Sequence, residues 1–380
     1  MRIGIDASRA FGDQKTGTES YSFELITHLL KLPEAKNHEF ILYVKDSFKT
    51  SIFNNPTSNI QLQKINFRFL WTQVGLAYKT WTDKLDVLWI PAHTLPILRK
   101  PGIKTVVTIH GIEYEWLPAY ENWLQRWYLP LSTQYAVMSA SRIIAVSKFT
   151  KDQLIERLGA DPKKILVVHE GINYNDTVRQ SKILEVYGLK KGGFGLFVGT
   201  IQPRKNIQRL IEAFAMTNDQ CPMSKLVICG KLGWGYAEVI NLAKKHGVII
   251  TGYVTDENRN TLLKNAMFYV QPSITEGFGL PVLEAMSAGI PVISSSGGAL
   301  PEVVGDAGLL FDPLDPLDIL DKLDQIISNP KLRKLLITKG FFRTKQFSWE
   351  KAARETYKIL TEFSKFEIRN SKLSEDTVRR

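Results

Sequence analysis

A chain of 380 residues is too long for one ordinary hydrophobic core, so its length predicts two domains. The composition, 44% hydrophobic and 23% charged, is typical of a folded globular protein and excludes a disordered or fibrous chain. The net charge of +11 is spread over both halves: residues 1–170 carry 21 Lys and Arg against 16 Asp and Glu, and residues 171–380 carry 28 against 22. This spread argues against a dedicated nucleic-acid-binding segment and favours anionic partners, such as diphosphates or a membrane surface.

The sequence contains no signal of export or membrane insertion. The first residues lack the apolar core of a signal peptide, and no window approaches the ~20 apolar residues that a transmembrane helix needs. We interpret Cys221 and Cys229 as buried free thiols, which suits a reducing compartment. We therefore expect a cytoplasmic protein, with a peripheral contact on the inner face of the membrane left open.

The first half alternates between short apolar runs and segments of helical periodicity, as a parallel sheet covered by helices requires. The predicted strands are Met1–Ala7, Glu39–Lys45, Val87–Ile90, Lys104–His110, Arg142–Ser147 and Ile165–His169. The predicted helices, in which apolar residues recur every three or four positions, are Tyr21–Lys31, Trp71–Thr82, Trp123–Ala140 and Lys148–Leu158.

The polar residues 171–190 predict a linker, after which the same alternation begins again. The predicted strands are Phe194–Val198, Lys225–Cys229, Val248–Thr251, Phe268–Gln271, Pro291–Ser294 and Gly308–Phe311, and the predicted helices are Asn206–Ala215, Tyr236–Lys245, Asp256–Asn265, Pro281–Ala288 and Pro316–Ser328. We therefore expect two doubly wound α/β domains, residues 1–170 and 191–345, with a ligand cleft at the carboxyl ends of their strands. Residues 349–366 predict a final amphipathic helix, and residues 369–380 predict a disordered tail.

A basic turn, G-T-I-Q-P-R-K-N from Gly199 to Asn206, follows a predicted strand of the second domain. Arg204 offers a planar fork of donors and Lys205 a mobile charge, and together they suit a diphosphate. They would also stabilise the charge on a leaving phosphate without a metal ion. The segment by itself is equally compatible with a solvated basic turn or with a helix start capped by Asn206.

A second segment, E-G-F-G-L-P-V-L-E-A-M-S-A-G-I-P, places two carboxylates around a glycine loop and a helix start. Gly277 and Gly279 let the backbone approach a ligand, and Pro281 suits a first helical turn. The amides of the three residues before this proline would then face an anion at the positive end of the helix dipole: Phe278, Gly279 and Leu280.

The two carboxylates of this segment suit two different sets of hydroxyl groups. Glu284 can accept both hydroxyls of a ribose, and Glu276 can meet a hydroxyl of a transferred sugar. Alone, Glu284 also fits a helix-dipole partner and Glu276 a solvated loop acid. Together with the basic turn they favour a nucleotide-sugar site.

These motifs resemble the signatures of the retaining glycosyltransferases of family 4. The E-x7-E pattern from Glu276 to Glu284 is similar to the family's signature, and the turn Gly199–Asn206 is similar to its donor-phosphate turn. Other similar segments are D-A-S…T-G-T-E-S-Y-S-F-E-L, D-V-L-W-I-P, T-I-H-G and F-S-W-E-K-A-A-R-E-T. The resemblance covers nearly the whole chain and implies the GT-B fold, in which two tandem Rossmann-like domains face a cleft and a C-terminal helix returns to the first domain.

The resemblance also implies a role for individual residues. The expected catalytic residues are His110, Glu276, Arg204 and Lys205. The expected donor-binding residues are Gly17, Gly199, Arg204, Lys205, Glu276, Gly277, Phe278, Gly279, Leu280 and Glu284. No metal ion and no cofactor are expected. Two positions depart from the family pattern, since Glu19 replaces a frequent glycine and Gly111 follows His110 where Asp is frequent. His110 is therefore also compatible with a core or capping histidine.

An aromatic segment, Y-E-W-L-P-A-Y-E-N-W-L-Q-R-W-Y, begins at Tyr114, shortly after His110. Aromatic faces stack on sugar rings and also favour membrane interfaces. We expect Tyr114 or Trp116 to contact an acceptor, whereas the helical spacing of Trp123 and Trp127 favours a seam between helices.

The expected activity is a retaining, metal-independent transfer of a hexose from a nucleoside-diphosphate sugar to a hydroxyl of a glycan or lipid-linked glycan. GDP-mannose is the expected donor, and UDP- or dTDP-sugars are the alternatives. Two other classes stay open. An oxidoreductase would need G-x-G-x-x-G after the first strand, which the chain lacks. A non-catalytic sugar-nucleotide-binding protein would not need the Arg204, Lys205, Glu276 and Glu284 set.

Overall fold

The computed structural model describes residues 1–11, 17–45, 58–67, 69–112, 123–173, 181–217 and 225–378, with the backbone alone for residues 123–127 and 364–378. The chain divides into two compact units. The first combines Met1–Gly171 with Trp349–Arg380, and the second is Ile172–Ser348. Each unit is built around its own parallel β-sheet, so the predicted pair of doubly wound α/β domains is confirmed.

The first unit contains a seven-stranded parallel sheet in the order β3-β2-β1-β4-β5-β6-β7. Its strands are β1 (Arg2–Asp6), β2 (Glu39–Lys45), β3 (Ile60–Ile65), β4 (Val87–Ile90), β5 (Lys104–Ile109), β6 (Arg142–Ala145) and β7 (Ile165–Val167). The central strands are buried along almost their whole length, because helices cover both faces of the sheet. This double burial explains why the strands are continuous apolar runs and do not alternate.

The connections between these strands contain the helices α1 (Gly17–Leu30), α2 (Ala77–Thr82), α3 (Trp123–Ser139) and α4 (Lys148–Leu158). The C-terminal helix α13 (Trp349–Val378) also belongs to this unit. A π-helical turn, Trp71–Leu76, leads directly into α2. Short 3₁₀ turns at Pro33–Asn37 and Pro162–Lys164 complete the unit.

The second unit contains a six-stranded parallel sheet in the order β10-β9-β8-β11-β12-β13. Its strands are β8 (Phe194–Val198), β9 (Lys225–Cys229), β10 (Ile249–Gly252), β11 (Phe268–Gln271), β12 (Val292–Ser295) and β13 (Gly308–Phe311). Its helices are α5 (Ile183–Val186), α6 (Ile207–Ala215), α7 (Ala237–Lys245), α8 (Asp256–Asn265), α9 (Leu280–Ser287), α10 (Leu300–Val304), α11 (Pro316–Ser328) and α12 (Pro330–Thr344). The strand order reverses between β8 and β11, which is where ligands bind in open α/β sheets.

Apart from α5 in the predicted linker, one strand and two helices were not predicted, each for a physical reason. Strand β3 lies at the edge of its sheet and is rich in polar residues, so it lacks the apolar run of a buried strand. Helix α10 has only five residues, too few for a helical period. Helix α12 is amphipathic only weakly, and its buried residues are few.

The predicted linker and tail differ from the structure. Within residues 171–190, Ile172 bridges Ser348, and α5 contributes the buried Ile183, while residues 174–180 lie outside the described part. The disordered tail predicted for residues 369–380 is wrong as far as Val378, because α13 continues to that residue. Residues 366–378 contain no Gly or Pro, and extending an existing helix costs far less than starting one.

Helix α13 packs against α1 and so completes the first unit from the opposite end of the chain. Its buried residues recur with helical spacing: Ala352, Ala353, Thr356, Ile359 and Leu360. At the rim, Arg354 pairs with Glu34 at 3.2 Å, and the Tyr357 hydroxyl donates to the carbonyl of the same Glu34 at 2.9 Å.

We expect Leu360→Ala to lower the free energy of unfolding by about 2–5 kcal/mol, because Leu360 is fully buried in the α13 packing and its removal leaves a cavity. Urea-induced unfolding measures the change. The control is Lys358→Ala on the exposed face of α13, which should change the value by less than about 0.5 kcal/mol. Equal effects of the two substitutions would contradict the packing of α13.

Candidate active site

The two motifs of the second unit meet at the point where its strand order reverses. The basic turn Gly199–Asn206 follows β8, and the segment from Pro272 to Gly279 follows β11, which is the neighbour of β8 in the sheet. Parallel strands bring their carboxyl ends to one edge, so motifs about seventy residues apart become adjacent. The amide of Ile274 donates to the Arg204 carbonyl at 2.8 Å and ties the two segments together.

Asn206 anchors the basic turn. Residues Pro203–Lys205 form one 3₁₀ turn, and Asn206 follows with a left-handed φ of 56°. Its side-chain amide donates to the carbonyls of Pro272 at 3.1 Å and Pro313 at 2.7 Å, and its side-chain oxygen accepts from Arg209 at 2.9 Å. Asn206 therefore stands at the start of α6 without capping it, and the side-chain cap considered from the sequence is wrong.

Glu276 lies at the centre of a buried polar cluster. Its Oε2 accepts from Arg204 Nη1 at 2.7 Å, and its Oε1 pairs with Lys205 Nζ. Ser273 Oγ and Gln271 Nε2 donate to the same Oε1 at 2.6 and 3.0 Å. Only 7% of Glu276 is exposed, so the alternative of a solvated loop acid is wrong.

The two cations decide the protonation state of this carboxylate. Burial alone would raise the pKa of Glu276, but the charges of Arg204 and Lys205 lower that pKa to about 2. The carboxylate is therefore ionised at neutral pH. Lys205 is only 9% exposed, so its pairing with Glu276 offsets part of the cost of burying both groups.

Glycines bring two backbone segments close to Glu276. Gly279 has a φ of 116° and precedes α9, and a Cβ there would come within 2.8 Å of Leu300. Gly298 has a φ of 65°, and a Cβ there would lie 2.4 Å from the Glu276 carbonyl oxygen. The Ala299 amide donates to that same oxygen at 2.9 Å.

The glycine loop leads directly into the start of α9. The helix begins at Leu280, so the amides of Gly279 and Leu280 precede its first intrahelical hydrogen bonds. The Phe278 side chain is buried and packs edge-on against Phe347, with ring centroids 5.8 Å apart. The contact between the two rings thus anchors the glycine loop. Gly277, next to Phe278, is also buried.

Glu284 occupies a different environment from Glu276. It lies on α9, and its Oε1 is 3.8 Å from Nη2 of Arg259 on α8. Burial raises the pKa of Glu284, an effect that Arg259 opposes and Asp256 adds to. Its side chain retains 31% exposure, so it remains accessible to a ligand.

Several polar residues of this site were missed by the sequence analysis. They are Arg259, Gln271, Ser273 and Thr275. Gln271 ends β11, and Ser273 and Thr275 follow it at alternate positions. Polar residues at the carboxyl end of a parallel strand are a signal of a binding site, and this signal could have identified them. The Thr275 hydroxyl is buried without a hydrogen-bond partner in the described structure. Arg259 has no cue in the sequence, because it lies on α8 and only the tertiary structure brings it within 3.8 Å of Glu284 on α9.

His110 follows β5 in the first unit, and its ring is held on several sides. Its Nδ1 lies 3.2 Å from Glu170 Oε1, and its Nε2 lies 3.0 Å from the Pro91 carbonyl oxygen. The Tyr21 ring meets it edge-on at 4.5 Å, and the His93 ring stacks at 5.9 Å. Burial lowers the pKa of His93 to about 3, so this second histidine is neutral.

The contacts of His110 show how its ring is oriented. Each ring nitrogen has one oxygen partner, and the two partners on opposite sides fix the plane of the ring. Glu170, which the sequence analysis missed, lies just beyond β7 and is buried. The carboxylate thus holds the histidine from the end of β7, two strands away from β5 in the sheet.

The remaining predicted residues lie elsewhere. Gly17 is the exposed first residue of α1 in the first unit, and Gly199 directly follows β8 in the second. Glu19 lies in the first turn of α1, where the helix dipole favours an acid, so its departure from the family pattern has a local reason. Tyr114 and Trp116 lie outside the described residues.

Within the described residues, no group of three or more His, Cys, Asp or Glu side chains is arranged to hold a metal ion. In the same part of the chain, no helix is both long and apolar enough to span a bilayer.

Comparison with known proteins identifies the family of both units. Residues 16–176 match the model of Glycosyltransferase Family 4, and residues 180–341 match that of Glycosyl transferases group 1. The O-antigen chain mannosyltransferase B of Escherichia coli is 35% identical over 270 residues, which cover 68% of this chain and 71% of the relative. The O-antigen chain mannosyltransferase RfbU of Salmonella typhimurium is 27% identical over 325 residues, or 82% and 87% of the two chains.

A solved structure shows the same fold. The crystal structure of WaaG, a glycosyltransferase involved in lipopolysaccharide biosynthesis, superposes with a TM-score of 0.69 at 16% identity, over 95% of this chain and 100% of that one. Together with the family models and the 35% identical relative, the Arg204–Lys205–Glu276 cluster and Glu284 on α9 lead to one conclusion: the chain belongs to the group 1 glycosyltransferases of family 4, which have the GT-B fold.

Proposed function

We propose that this glycosyltransferase transfers mannose from GDP-mannose to a hydroxyl of a glycan or lipid-linked glycan, with retention and without a metal ion. The observation that carries the proposal is the buried Arg204–Lys205–Glu276 cluster beside the start of α9. The names of the two curated relatives, both mannosyltransferases of O-antigen chains, support the choice of sugar and of a glycan acceptor.

The charge of the cluster suits a diphosphate. Two cations face one carboxylate, so one positive charge remains to attract a phosphate anion. The Arg204 side chain is 25% exposed, whereas Lys205 is more deeply buried. Arg204 can therefore turn towards the donor while Lys205 stays in place. The positive end of the α9 dipole adds to this attraction.

Glu276 is placed to exchange partners when a donor binds. A carboxylate oxygen can accept more than one hydrogen bond, and Arg204 Nη1 donates to Glu276 Oε2 at 2.7 Å. If Arg204 turns to the diphosphate, that oxygen can accept a hydroxyl of the transferred sugar. Because the pKa of Glu276 is about 2, it acts as an acceptor throughout the physiological pH range.

Glu284 is assigned to the ribose. It lies on the helix that starts beside the diphosphate site, it is partly exposed, and Arg259 neutralises part of its charge at 3.8 Å. A carboxylate accepts two vicinal hydroxyls in a bidentate manner, and charged hydrogen bonds of this kind contribute about 1.5–3 kcal/mol each. The nucleotide would thus be held at both ends of its diphosphate–ribose segment.

Charge development explains why no metal ion is needed. Breaking the sugar–phosphate bond places negative charge on the leaving phosphate, and fixed cations stabilise it in the transition state. The acceptor hydroxyl attacks from the leaving-group face, and the departing phosphate oxygen takes its proton, which retains the configuration of the sugar. His110, with its ring oriented by Glu170, is assigned to the donor sugar on the basis of the family resemblance.

We expect Lys205→Ala to lower kcat by about 10²–10³-fold with a smaller change in the donor KM, because its charge matters most when the leaving group forms. Steady-state transfer from GDP-mannose measures both constants. The control is Lys245→Ala on the exposed end of α7. Unchanged turnover in Lys205→Ala would contradict the phosphate assignment, and loss of wild-type activity in a chelator would contradict metal independence.

Glu284→Ala should weaken nucleotide binding by about tenfold or more, because the ribose contacts are lost. A thermal-shift panel of GDP, UDP and dTDP measures this, and the wild-type protein should be stabilised most by GDP. Asp256→Ala is the matched control, since Asp256 shares Arg259 with Glu284 but is exposed. An equal loss in both variants would mean that Glu284 acts only through Arg259. Stronger stabilisation by UDP or dTDP than by GDP would mean that the donor carries uracil or thymine in place of guanine. Stabilisation by nucleotides without transfer from any donor would favour a non-catalytic binding protein.

The stabilising effect of Glu276 should disappear at low pH. Its pKa of about 2 in the folded state lies below the usual 4.5, so its contribution is complete above about 4.5 and is lost as the pH falls towards 2. The difference in unfolding free energy between wild type and Glu276→Gln should therefore shrink across this window. Urea unfolding at several pH values measures it, with Glu238→Gln on the surface of α7 as the control. A difference that does not depend on pH would contradict the ion cluster.

A further inference from the structure

We propose that Gln271, with its side-chain amide oriented by the Tyr269 hydroxyl, is a positioning residue that fixes Glu276 for its contact with the transferred sugar. Both residues lie on β11, and neither is among the residues to which the family resemblance gives a role. The inference rests on the proposed function, because it concerns how Glu276 is presented to the donor. It assigns a role to two residues that do not themselves touch the donor.

Strand β11 has two faces of opposite character. Phe268 and Val270 belong to the apolar core of the second unit, whereas Tyr269 and Gln271 lie on the other face, since side chains alternate along a strand. The strand lies between β8 and β12, and Gln271 is only 1% exposed. A buried amide and a buried hydroxyl cost free energy unless each has hydrogen-bond partners. The partners of these two side chains therefore indicate why an interior strand carries them.

A line of hydrogen bonds runs from Tyr269 to Glu276. The Tyr269 hydroxyl donates to Gln271 Oε1. Gln271 Nε2 donates to Ser273 Oγ at 2.7 Å and to Glu276 Oε1 at 3.0 Å. Ser273 Oγ in turn donates to the same Oε1 at 2.6 Å. Every polar proton along this line thus has an acceptor, and the line ends on a carboxylate oxygen.

The Tyr269 hydroxyl decides which way the Gln271 amide faces. An amide has an acceptor end and a donor end, and the hydroxyl contributes one proton. Burial, followed by the charge of Glu276, raises the pKa of Tyr269 well above its usual value, so this proton stays in place. The Val198 carbonyl is a more distant acceptor for it, at 3.4 Å. The amide oxygen therefore faces Tyr269, and the amide nitrogen faces the carboxylate.

The two oxygens of Glu276 are held unequally. Among the described residues, Oε1 accepts from three side chains, which are Lys205, Ser273 and Gln271. Oε2 accepts from Arg204 at 2.7 Å, and this is the partner that would turn towards the diphosphate. Gln271 therefore helps to keep Oε1 in the interior, so that Oε2 remains the oxygen that meets the sugar. An acceptor held in advance needs no reorganisation during the reaction.

The amide at position 271 supplies a donor without adding charge. The titratable groups around it, drawn from β9, β11, α9 and the turns after β8 and β11, are Tyr269, Glu276, Arg204, Lys205, Glu284 and Cys229. Of these, Glu276 is the acid to which Gln271 donates. A second carboxylate at this position would repel Glu276 until one of the two groups took up a proton.

Steady-state transfer from the donor that the wild type uses tests the inference, and a thermal-shift titration with that donor's nucleoside diphosphate accompanies it. Gln271→Leu should lower kcat about tenfold or more, because a hydrogen bond to a charged carboxylate is lost. The Kd of the nucleoside diphosphate should change by less than about twofold, because Glu276 is assigned to the sugar. A merely structural role would weaken transfer and nucleotide binding together.

Gln271→Glu separates positioning from packing through its pH profile. When protonated, the introduced carboxyl group can donate to Glu276 as the amide does, and when ionised it repels Glu276. Two adjacent carboxyl groups raise the pKa of one of them. The ratio of kcat in Gln271→Glu to kcat in the wild type should therefore rise about tenfold between about pH 8 and about pH 6. The same ratio for Gln271→Leu should not depend on pH.

Tyr269→Phe tests whether the tyrosine acts through the amide. It should lower kcat about threefold in the wild-type background, because the amide is free to turn, and should have no further effect in Gln271→Leu. The matched control is Tyr187→Phe, which removes a hydroxyl that donates to the Thr251 carbonyl at 3.4 Å in the same unit. It should leave kcat unchanged in both backgrounds, and thermal unfolding should show that every variant folds.

Three results with an active wild type would overturn the inference alone. They are full turnover in Gln271→Leu, a pH-independent ratio for Gln271→Glu, and additive effects of Tyr269→Phe and Gln271→Leu. A wild type that transfers from no donor would overturn the proposed function and, with it, this inference.

Discussion

The ion cluster of Glu276 with Arg204 and Lys205 is the interaction on which the candidate site depends. A carboxylate that is 7% exposed and a lysine that is 9% exposed would each be strongly disfavoured alone. Together, with Ser273 and Gln271 as further donors, they remain charged at neutral pH. The cluster therefore holds positive charge ready at the start of α9, at the expense of stability that a purely apolar core would provide. A site that must attract a diphosphate has a reason to keep such charges in place.

The cluster exists because of the topology of the second sheet. The strand order reverses between β8 and β11, so the turns after these strands lie side by side at one edge. Asn206 fixes the first turn through its bonds to Pro272 and Pro313, and Gly298 permits the backbone contact with Glu276 from the next connection. The side-chain amide of Asn206 and the backbone contact at Gly298 hold these loops in place, so the polar side chains on them have a defined geometry.

The first unit uses the same edge of its own sheet differently. His110, Pro91 and Glu170 follow the carboxyl ends of β5, β4 and β7 in the same sheet, and the His110 ring contacts both of the others within hydrogen-bond distance.

The sequence by itself determined the fold class, the two domains and the donor motifs, because buried parallel strands require continuous apolar runs and because phosphate loops require glycine at fixed spacings. It also predicted that Arg204, Lys205, Glu276 and Glu284 act together, and the structure brings the first three into contact. It did not reveal that Glu276 neutralises the two cations, that Asn206 anchors a turn without capping a helix, or that Arg259 and Glu170 accompany Glu284 and His110. These contacts join residues that are far apart in the chain. Periodicity and local motifs describe neighbours along the sequence, so only the tertiary structure could decide which charges meet.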